Sequence, residues 1–417
     1  MNKQTSKKYI SIILLVFAIF FVISFITNIL NSIMADVKAS FDLSLLYTGL
    51  LPFSFFIAYG VMSVPAGFLS ERYSDKKLLG LSFLIIALAS IIFILFPSYL
   101  IFGFSLFIMG CSMAVLQVII NPLLRIAGGE AHFAFNSVLA QLVFGGASFL
   151  SPYLYMALVN KNNQQSVAEL LRSFVPENLP WVSLYIVFAL TAGVMFLVIS
   201  FVNYPDYAKK EDERSGGIRN YIDLLKNKWA ILYFLGIFCY VGIEQGIGNW
   251  ISQFLLEYHG MDAQTIGAST VSRFWAMLTI GCLLGLLLLK LMDSRYVLIG
   301  STLATTIALI VALTGSSEVS VKAFPWIGFF ISVMWSIIFS LGLNSVKSHH
   351  GALSGILCTG IAGGAIMPLI VGAIGDSVNL KTGLFFLAVP LLYILSIGFW
   401  AKPLVKNKTI SITKKES

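Results

Sequence analysis

The chain has 417 residues, of which 58% are hydrophobic and only 11% are charged, and its mean hydropathy is +0.89. Soluble domains carry roughly twice that charged fraction, so the composition excludes a soluble globular protein and indicates an integral membrane protein. The net charge of +8 would suggest nucleic acid binding in a soluble chain, but the basic residues here fall in short loops, where membrane topology explains them better.

Apolar segments of about 20 residues, long enough to cross a bilayer, recur along the chain. The first follows three lysines and lacks a small-residue cleavage site, so we predict an uncleaved first helix. The connections are mostly short, which favours antiparallel neighbours in helical bundles. We therefore predict an all-α membrane protein with twelve spans, at residues 9–35, 44–70, 78–96, 99–123, 133–158, 181–203, 230–255, 264–289, 296–314, 324–345, 350–375 and 380–401.

A charged segment between the sixth and seventh spans divides the chain. Residues 204–228 are rich in Asp, Glu and Lys and contain a Ser-Gly-Gly turn, which predicts a linker between six-helix halves at 1–203 and 229–417. With the N-terminus inside, cytoplasmic segments hold 21 of the 27 Lys and Arg residues. This bias predicts a multi-pass protein of the plasma or inner membrane with both termini in the cytoplasm.

The two predicted halves share an internal repeat. Residues 132–147 align with residues 350–365 at an offset of 218, with six of sixteen positions identical. The same offset aligns Gly67 with Gly285, Arg72 with Lys290, Asp75 with Asp293, and Asn31 with Asn249. A six-helix unit duplicated in parallel resembles the plan of major facilitator transporters, in which the binding site lies between the halves near the membrane midplane.

The loop after the second span carries a second sign of this superfamily. Its residues are Gly67, Glu71, Arg72, Asp75, Lys76 and Lys77. A glycine, three residues, an acid, an arginine and a basic pair resemble the cytoplasmic signature of the superfamily. The resemblance implies that Arg72 and the lysines bridge to carboxylates and helix C-termini of the other half and close the cytoplasmic side. The alternative is a solvated basic loop.

Amide side chains occur inside several spans, where lipid makes every polar group informative. Amides supply both hydrogen-bond donors and acceptors, which suits a neutral polyhydroxylated solute. Tryptophan can stack on the apolar face of a sugar ring. The alternatives are that the amides only join helices and that the tryptophans pack or anchor the chain at the interface. The candidate substrate-binding residues are Asn28, Asn31, Gln117, Asn121, Gln141, Gln245, Asn249, Trp250, Trp275 and Trp335.

Glu244 is the only acidic residue predicted to lie well inside a span. A carboxylate at bilayer depth costs several kcal/mol unless it is paired, protonated or hydrated, so Glu244 is the candidate cation-coupling residue. Arg273, in the eighth span, is a second candidate. If it pairs with Glu244 it weakens cation binding and favours a facilitator or an anionic solute. Alternatively, it extends to the external surface.

Three short motifs resemble the fucose/glucose/galactose symporter family and its sodium-coupled glucose relatives. They are Leu116-Gln-Val-Ile-Ile-Asn121-Pro122, Ala140-Gln141 and Tyr240-Val-Gly. The resemblance implies uptake of a hexose-type sugar driven by a cation gradient. Fucose–proton members have acids where this chain has Asn31 and Gln117, which leaves Glu244 for coupling. A carboxylate among amide and carbonyl oxygens is a candidate Na⁺ site, with H⁺ as the alternative.

We therefore predict a monomeric, non-enzymatic transporter that contacts membrane lipid, has no cofactor beyond the coupling ion and binds no nucleic acid. Its two halves would rock about a central site to give alternating access. The alternatives are an efflux antiporter for amphipathic compounds or drugs, a sugar facilitator without coupling, and a non-transporting membrane receptor.

Overall fold

The computed structural model describes residues 3–128, 133–160, 166–202, 218–343, 345 and 350–402. Within these ranges the chain forms helices joined by short connections, and it contains no strand. The predicted all-α class is confirmed.

The first part of the chain contains six long helices and one short one. The short helix, α6, lies in the connection before α7, which is preceded by a 3₁₀ turn at Pro180–Val182. The helices are α1 (Lys3–Ser40), α2 (Leu45–Arg72), α3 (Asp75–Leu95), α4 (Tyr99–Gly128), α5 (Phe133–Val159), α6 (Ser166–Arg172) and α7 (Ser183–Phe201).

The second part begins with a short helix, and several of its spans are broken in the middle. The seventh span, for example, consists of α9 and α10, which are separated by a break at Asn249–Trp250. The helices are α8 (Ile218–Leu225), α9 (Lys228–Gly248), α10 (Ile251–His259), α11 (Ala268–Leu291), α12 (Ser294–Thr314), α13 (Ser317–Ile331), α14 (Met334–Leu343), α15 (His350–Thr359), α16 (Gly363–Ser377), α17 (Leu380–Phe385) and α18 (Ala388–Trp400).

Twelve helical segments in the described residues are long and apolar enough to cross a membrane. All twelve correspond to predicted spans. Their ends differ by several residues: the first helix continues to Ser40, beyond the predicted end at residue 35, and the tenth span begins at Ser317, before the predicted start at residue 324.

Side-chain caps fix where several helices begin. The Ser44 side chain accepts a hydrogen bond from the Tyr47 backbone N–H at 3.3 Å and starts α2. The Asn227 side chain accepts from the Trp229 N–H at 3.0 Å and starts α9. Such caps satisfy N–H groups that have no partner inside the helix. The Asn227 cap therefore fixes the start of the helix that carries Glu244.

The buried apolar side chains form two clusters. One comes almost entirely from α1–α7, and the other comes almost entirely from α8–α18. Residues 203–217, most of the predicted linker, lie outside the described residues, and α8 occupies much of the remainder. The exact division into halves at 203 and 229 stays a prediction.

The two clusters meet along a surface where helices approach closely at glycines. A methyl group added at Gly49 would lie 3.1 Å from the Pro368 carbonyl oxygen and 3.1 Å from Leu369 Cα. One added at Gly372 would lie 2.5 Å from the Leu45 carbonyl oxygen. Thus α2 and α16 pack backbone to backbone, as small residues allow in membrane helices.

We name the two ends of the bundle from their connections. The outer end contains residues 40–45, 260–263 and 377–380, and the inner end contains residues 72–75 and 291–294.

Replacing Gly328 of α13 with alanine should lower the thermal stability of the purified protein. The new methyl group would overlap the Phe274 carbonyl oxygen of α11, and a packed backbone cannot move aside easily. Overpacking of this kind costs about 1–3 kcal/mol. The control is Gly300→Ala, where nothing lies within 4 Å of the added methyl group, so its melting temperature should stay the same or rise. Equal melting temperatures for the two variants would contradict this packing.

Candidate functional site

Glu244 lies about midway along the seventh span, between Lys228 and His259. Its carboxylate is partly buried and accepts two hydrogen bonds. The Tyr240 hydroxyl donates to Oε2 at 2.6 Å, and the Gln245 Nε2 donates to Oε1 at 3.1 Å. Both donors are neutral, so nothing in this arrangement cancels the negative charge.

The orientation of α9 places this carboxylate inside the bundle. Tyr240 and Glu244 are four residues apart and share one face of α9. The Tyr240 ring lies 6.1 Å from the Trp335 ring of α14, so this face contacts α14. The exposed Leu235 is nine residues before Glu244, about two and a half turns, and therefore lies on the opposite side of the helix.

Three amides, one on α1 and two near the end of α9, lie almost fully buried. Asn31, Gln245 and Asn249 are 1%, 3% and 0% exposed. A methyl group added at Gly248 would lie 3.2 Å from Asn31 Nδ2, so the helices touch at this level. Asn31 and Asn249 are also equivalent in the internal repeat. The repeat therefore brings one asparagine from each half to the same junction.

Most polar atoms of these amides have no hydrogen-bond partner among the residues that the structure describes. Asn249 Nδ2 donates to the Gln245 carbonyl at 2.8 Å, but Asn249 Oδ1, Gln245 Oε1 and both polar atoms of Asn31 are unpaired. The hydroxyls of Ser32 and Ser252 are buried and unpaired as well. An unsatisfied buried group costs about 1–3 kcal/mol. This amide strip, comprising Asn31, Gln245 and Asn249, is therefore suited to bind a polar solute when the halves separate.

Asn28 has a different environment from Asn31. Its Nδ2 donates to Ser148 Oγ of α5 at 2.8 Å and to Ser24 Oγ at 3.3 Å, and the two serine hydroxyls are 2.6 Å apart. This network joins α1 to α5 within the first half. In this structure Asn28 therefore contributes to helix packing, and its role in substrate binding stays a prediction.

The three candidate tryptophans also differ. Trp250 is fully buried at the break in the seventh span, where its Nε1 donates to the Pro368 carbonyl at 3.2 Å, so it anchors that break instead of facing a solute. Trp275 is 2% exposed, and its Nε1 is unpaired. Trp335 is partly exposed beside Tyr240 and Glu244. Among the three, Trp335 is the best placed to contact a solute next to the carboxylate.

The structure places Arg273 away from Glu244. Arg273 is exposed, at helical spacing from exposed apolar residues of the same segment such as Ile266, Ile280 and Leu284. No ion pair joins it to Glu244, whose oxygens are held by other side chains within the described part of the chain. A side chain on this outer face is suited to extend to the membrane surface. We leave Arg273 out of the site.

Four predicted side chains cannot be placed fully. Gln117 is partly buried in α4. The side chains of Asn121, Gln141 and Glu71 lie outside the described residues. Their roles stay predictions.

The signature loop contacts its own half. Lys76 Nζ donates to the carbonyl oxygens of Ser200 and Val202, both at 2.9 Å, and so stabilises the C-terminus of α7. A helix C-terminus was predicted as its partner, but in the other half. The remaining described members are Gly67 in α2, Asp75, which is buried at the start of α3, and the exposed Arg72 and Lys77.

Sequence reasoning missed one carboxylate inside a span. Asp36 of α1 accepts a hydrogen bond from the Tyr155 hydroxyl at 2.8 Å and from Gln264 Nε2 at 3.1 Å. It was overlooked because the predicted span ended at residue 35. The available signal was the absence of Gly and Pro from Asp36 to Ser40 together with Lys38, a basic residue suited to a last helical turn.

Two packed groups of spanning helices with unpaired polar side chains at their junction define a multi-span membrane transporter. The chain belongs to the Major Facilitator Superfamily, whose sequence model matches residues 16–362. This confirms the superfamily predicted from the repeat and the signature loop.

Similar proteins carry the names expected from the sequence motifs. The chain is 28% identical to a glucose/galactose transporter of Brucella abortus over 371 residues, 87% of each chain. It is 22% identical to the L-fucose-proton symporter of Escherichia coli over 393 residues, covering 89% of this chain and 88% of that one. The solved structure of the E. coli fucose:proton symporter FucP matches with a TM-score of 0.67 at 21% identity, covering 95% of this chain and 99% of that one. The predicted resemblance is confirmed.

Replacing Asn28 or Asn31 with alanine should have opposite effects on stability. Asn28→Ala removes a buried network between α1 and α5 and should destabilise the protein by about 1–3 kcal/mol. Asn31→Ala removes atoms that have no partner, so the melting temperature should hold or rise. Thermal unfolding of the two purified variants makes the comparison. A larger loss for Asn31→Ala than for Asn28→Ala would overturn the assignment of their roles.

Proposed function

We propose that the chain is a secondary active transporter that takes up a hexose-type sugar together with a cation. Membership of the superfamily and the names of the relatives support sugar transport, since relatives matched over most of their length include a glucose/galactose transporter and a fucose–proton symporter. The two halves would alternately open the central site to each side of the membrane.

The observation that carries the coupling is the environment of Glu244. Its carboxylate lies midway through a span, and in the described part of the chain it has two neutral donors and no basic partner. A charge in this position is unfavourable until a cation joins it. Cation binding would therefore stabilise the site, and release of the cation inside would complete the cycle. Because Arg273 faces away, the sequence-based reason for an uncoupled facilitator does not apply.

The geometry at Glu244 favours a proton over the sodium ion. Each carboxylate oxygen accepts one hydrogen bond and keeps a free lone pair, but a sodium ion needs several oxygen ligands at once, whereas the two groups seen on the carboxylate bind it as hydrogen-bond donors. A proton requires less change. Rotation of the Gln245 amide would turn its unpaired Oε1 toward the protonated acid, which then becomes a donor.

The solute would bind between Trp335 and the amide strip. Asn31 and Asn249 offer unpaired donor and acceptor atoms from opposite halves, which match sugar hydroxyls. Trp335 offers a ring beside the carboxylate. A solute held by both halves favours the conformation in which they meet, as alternating access requires.

The proposed orientation puts the inner end and both termini in the cytoplasm of a cell that carries the protein in its plasma or inner membrane. The excess of Lys and Arg in the predicted cytoplasmic segments supports this. We propose that the monomer is the transporting unit, because the site lies between the two halves of one chain.

Replacing Glu244 with glutamine should abolish sugar accumulation in proteoliposomes while leaving sugar exchange. Glutamine keeps the shape but cannot carry the charge that the cation neutralises. The measurement is uptake of labelled glucose, galactose and fucose under an imposed proton gradient and, separately, an imposed sodium gradient. The proton gradient should drive accumulation of at least one sugar.

The matched control is Glu257→Gln, which changes an exposed acid of α10 in the same span and should leave accumulation unchanged. Accumulation by Glu244→Gln at the parental level would remove Glu244 from the mechanism. If neither gradient accumulates any of these sugars, the proposed symport is wrong, and thermal stabilisation by lipophilic cations would then favour an exporter.

A further inference from the structure

Two carboxylates at the outer end join the halves. Asp36, near the end of α1, accepts hydrogen bonds from Gln264 Nε2 at 3.1 Å to each of its oxygens. Gln264 lies in the π-helical turn Ala263–Gly267, just before α11 in the second half. The Tyr155 hydroxyl of α5 donates to the same carboxylate at 2.8 Å and orients it from its own half.

In the second contact the carboxylate comes from the second half and its donors come from the first half. Asp376, near the end of α16, accepts from the backbone N–H groups of Leu45 and Leu46, each at 2.7 Å. These N–H groups begin α2, where no carbonyl of the helix can reach them. A carboxylate near a helix N-terminus is also favoured by the helix dipole.

The internal repeat relates the two contacts. At the offset of 218, residues 45 and 46 correspond to residues 263 and 264. The start of the second span of each half is therefore bound by a carboxylate of the other half. In the first half the donors are the backbone N–H groups of Leu45 and Leu46, and in the second half the donor is the side-chain amide of Gln264.

The contact of Asp36 with Gln264 lies just outside the amide strip. Asp36 follows Asn31 by five residues on α1, about one and a half turns toward the outer end. The turn that carries Gln264 ends at Gly267, where an added methyl group would lie 3.0 Å from Ser252 Cβ, three residues beyond Asn249. While the contacts are made, Asn31 and Asn249 are shielded from the outer side.

Several hydrogen bonds between the described residues of the two halves lie on this side. Where both partners are described, every hydrogen bond between the halves involves Asp36, Asp376 or the pair of Ser272 with the Phe149 carbonyl, and all lie in the outer part of the bundle. The carboxylates bind neutral donors, which bias a two-state equilibrium yet break more readily than a buried ion pair.

We propose that Asp36 with Gln264, and Asp376 with the N-terminus of α2, form an outer clasp that holds the external side closed and must open to admit solute. Tyr155 is a positioning residue for Asp36. The clasp rests on the alternating access proposed above, but on neither the solute nor the coupling ion.

The test measures how fast a central position is reached from outside. The four native cysteines are replaced with alanine, and Ser252→Cys, fully buried behind the clasp, serves as the reporter. Intact cells are treated with a membrane-impermeant maleimide, without sugar or an imposed gradient. Asp36→Ala and Asp376→Ala should each increase the labelling rate, and together they should increase it on the order of tenfold.

A mutant cycle separates the clasp from general loosening. Gln264→Ala should match Asp36→Ala, and the two together should add little, because both remove one contact. Asp376→Ala should add independently. The control Glu257→Ala changes an exposed acid in the outer part of the seventh span and should label at the parental rate.

Parental labelling in the Asp36→Ala/Asp376→Ala variant, with thermal unfolding showing a folded protein, would overturn the clasp. So would full additivity of Asp36→Ala with Gln264→Ala. If Asp36→Ala does not fold, the Gln264→Ala and Asp376→Ala variants test the proposal instead. Labelling of both variants at the parental rate would then reject it. Since labelling needs neither sugar nor a coupling ion, its failure leaves the symport proposal to its own test.

Discussion

The carboxylate of Glu244 sits midway through a membrane span, and neutral side chains alone hold its two oxygens in the described structure. This arrangement is stable only if the charge is solvated or neutralised, because the surrounding hydrocarbon does neither. The amide strip beside it has a similar property, since both polar atoms of Asn31 and the amide oxygens of Gln245 and Asn249 lack partners among the described residues. The centre of the molecule is therefore suited to bind a cation at the carboxylate and a polar solute at the unpaired amide atoms.

The internal repeat gives each half an asparagine at this centre but gives only the second half an acidic residue. Asn31 and Asn249 occupy equivalent places at the junction. At the same offset, Glu244 corresponds to Ile26, and Gln245 corresponds to Thr27. The first half thus supplies a polar contact and the second half supplies the acid. A solute bridging the halves would touch both, while the cation would be bound by one half alone, so their binding is coupled through the junction.

Hydropathy and the repeat were sufficient to predict the twelve spans, the superfamily and the depth of Glu244, because lipid demands long apolar helices. Side-chain partners were not predictable, since they depend on how helices face one another. Asn28 and Asn31 have the same chemistry on one helix, yet only Asn28 meets serines of α5. The direction of Arg273 was readable in principle, because Ile280 and Leu284 follow it at helical spacing.

Polar side chains inside the first half are hydrogen-bonded to one another, whereas several polar atoms between the halves have no described partner. Inside the first half, Asn28, Ser24 and Ser148 satisfy one another and fix α1 on α5. Between the halves, four polar atoms of the central amides are unpaired in the described part of the chain, and the hydrogen bonds described there include those of Asp36 and Asp376 near the outer end. Each half can therefore keep its internal structure while the surface between them separates. That difference in hydrogen bonding, more than any single residue, would let the chain expose its centre to either side in the proposed alternating access.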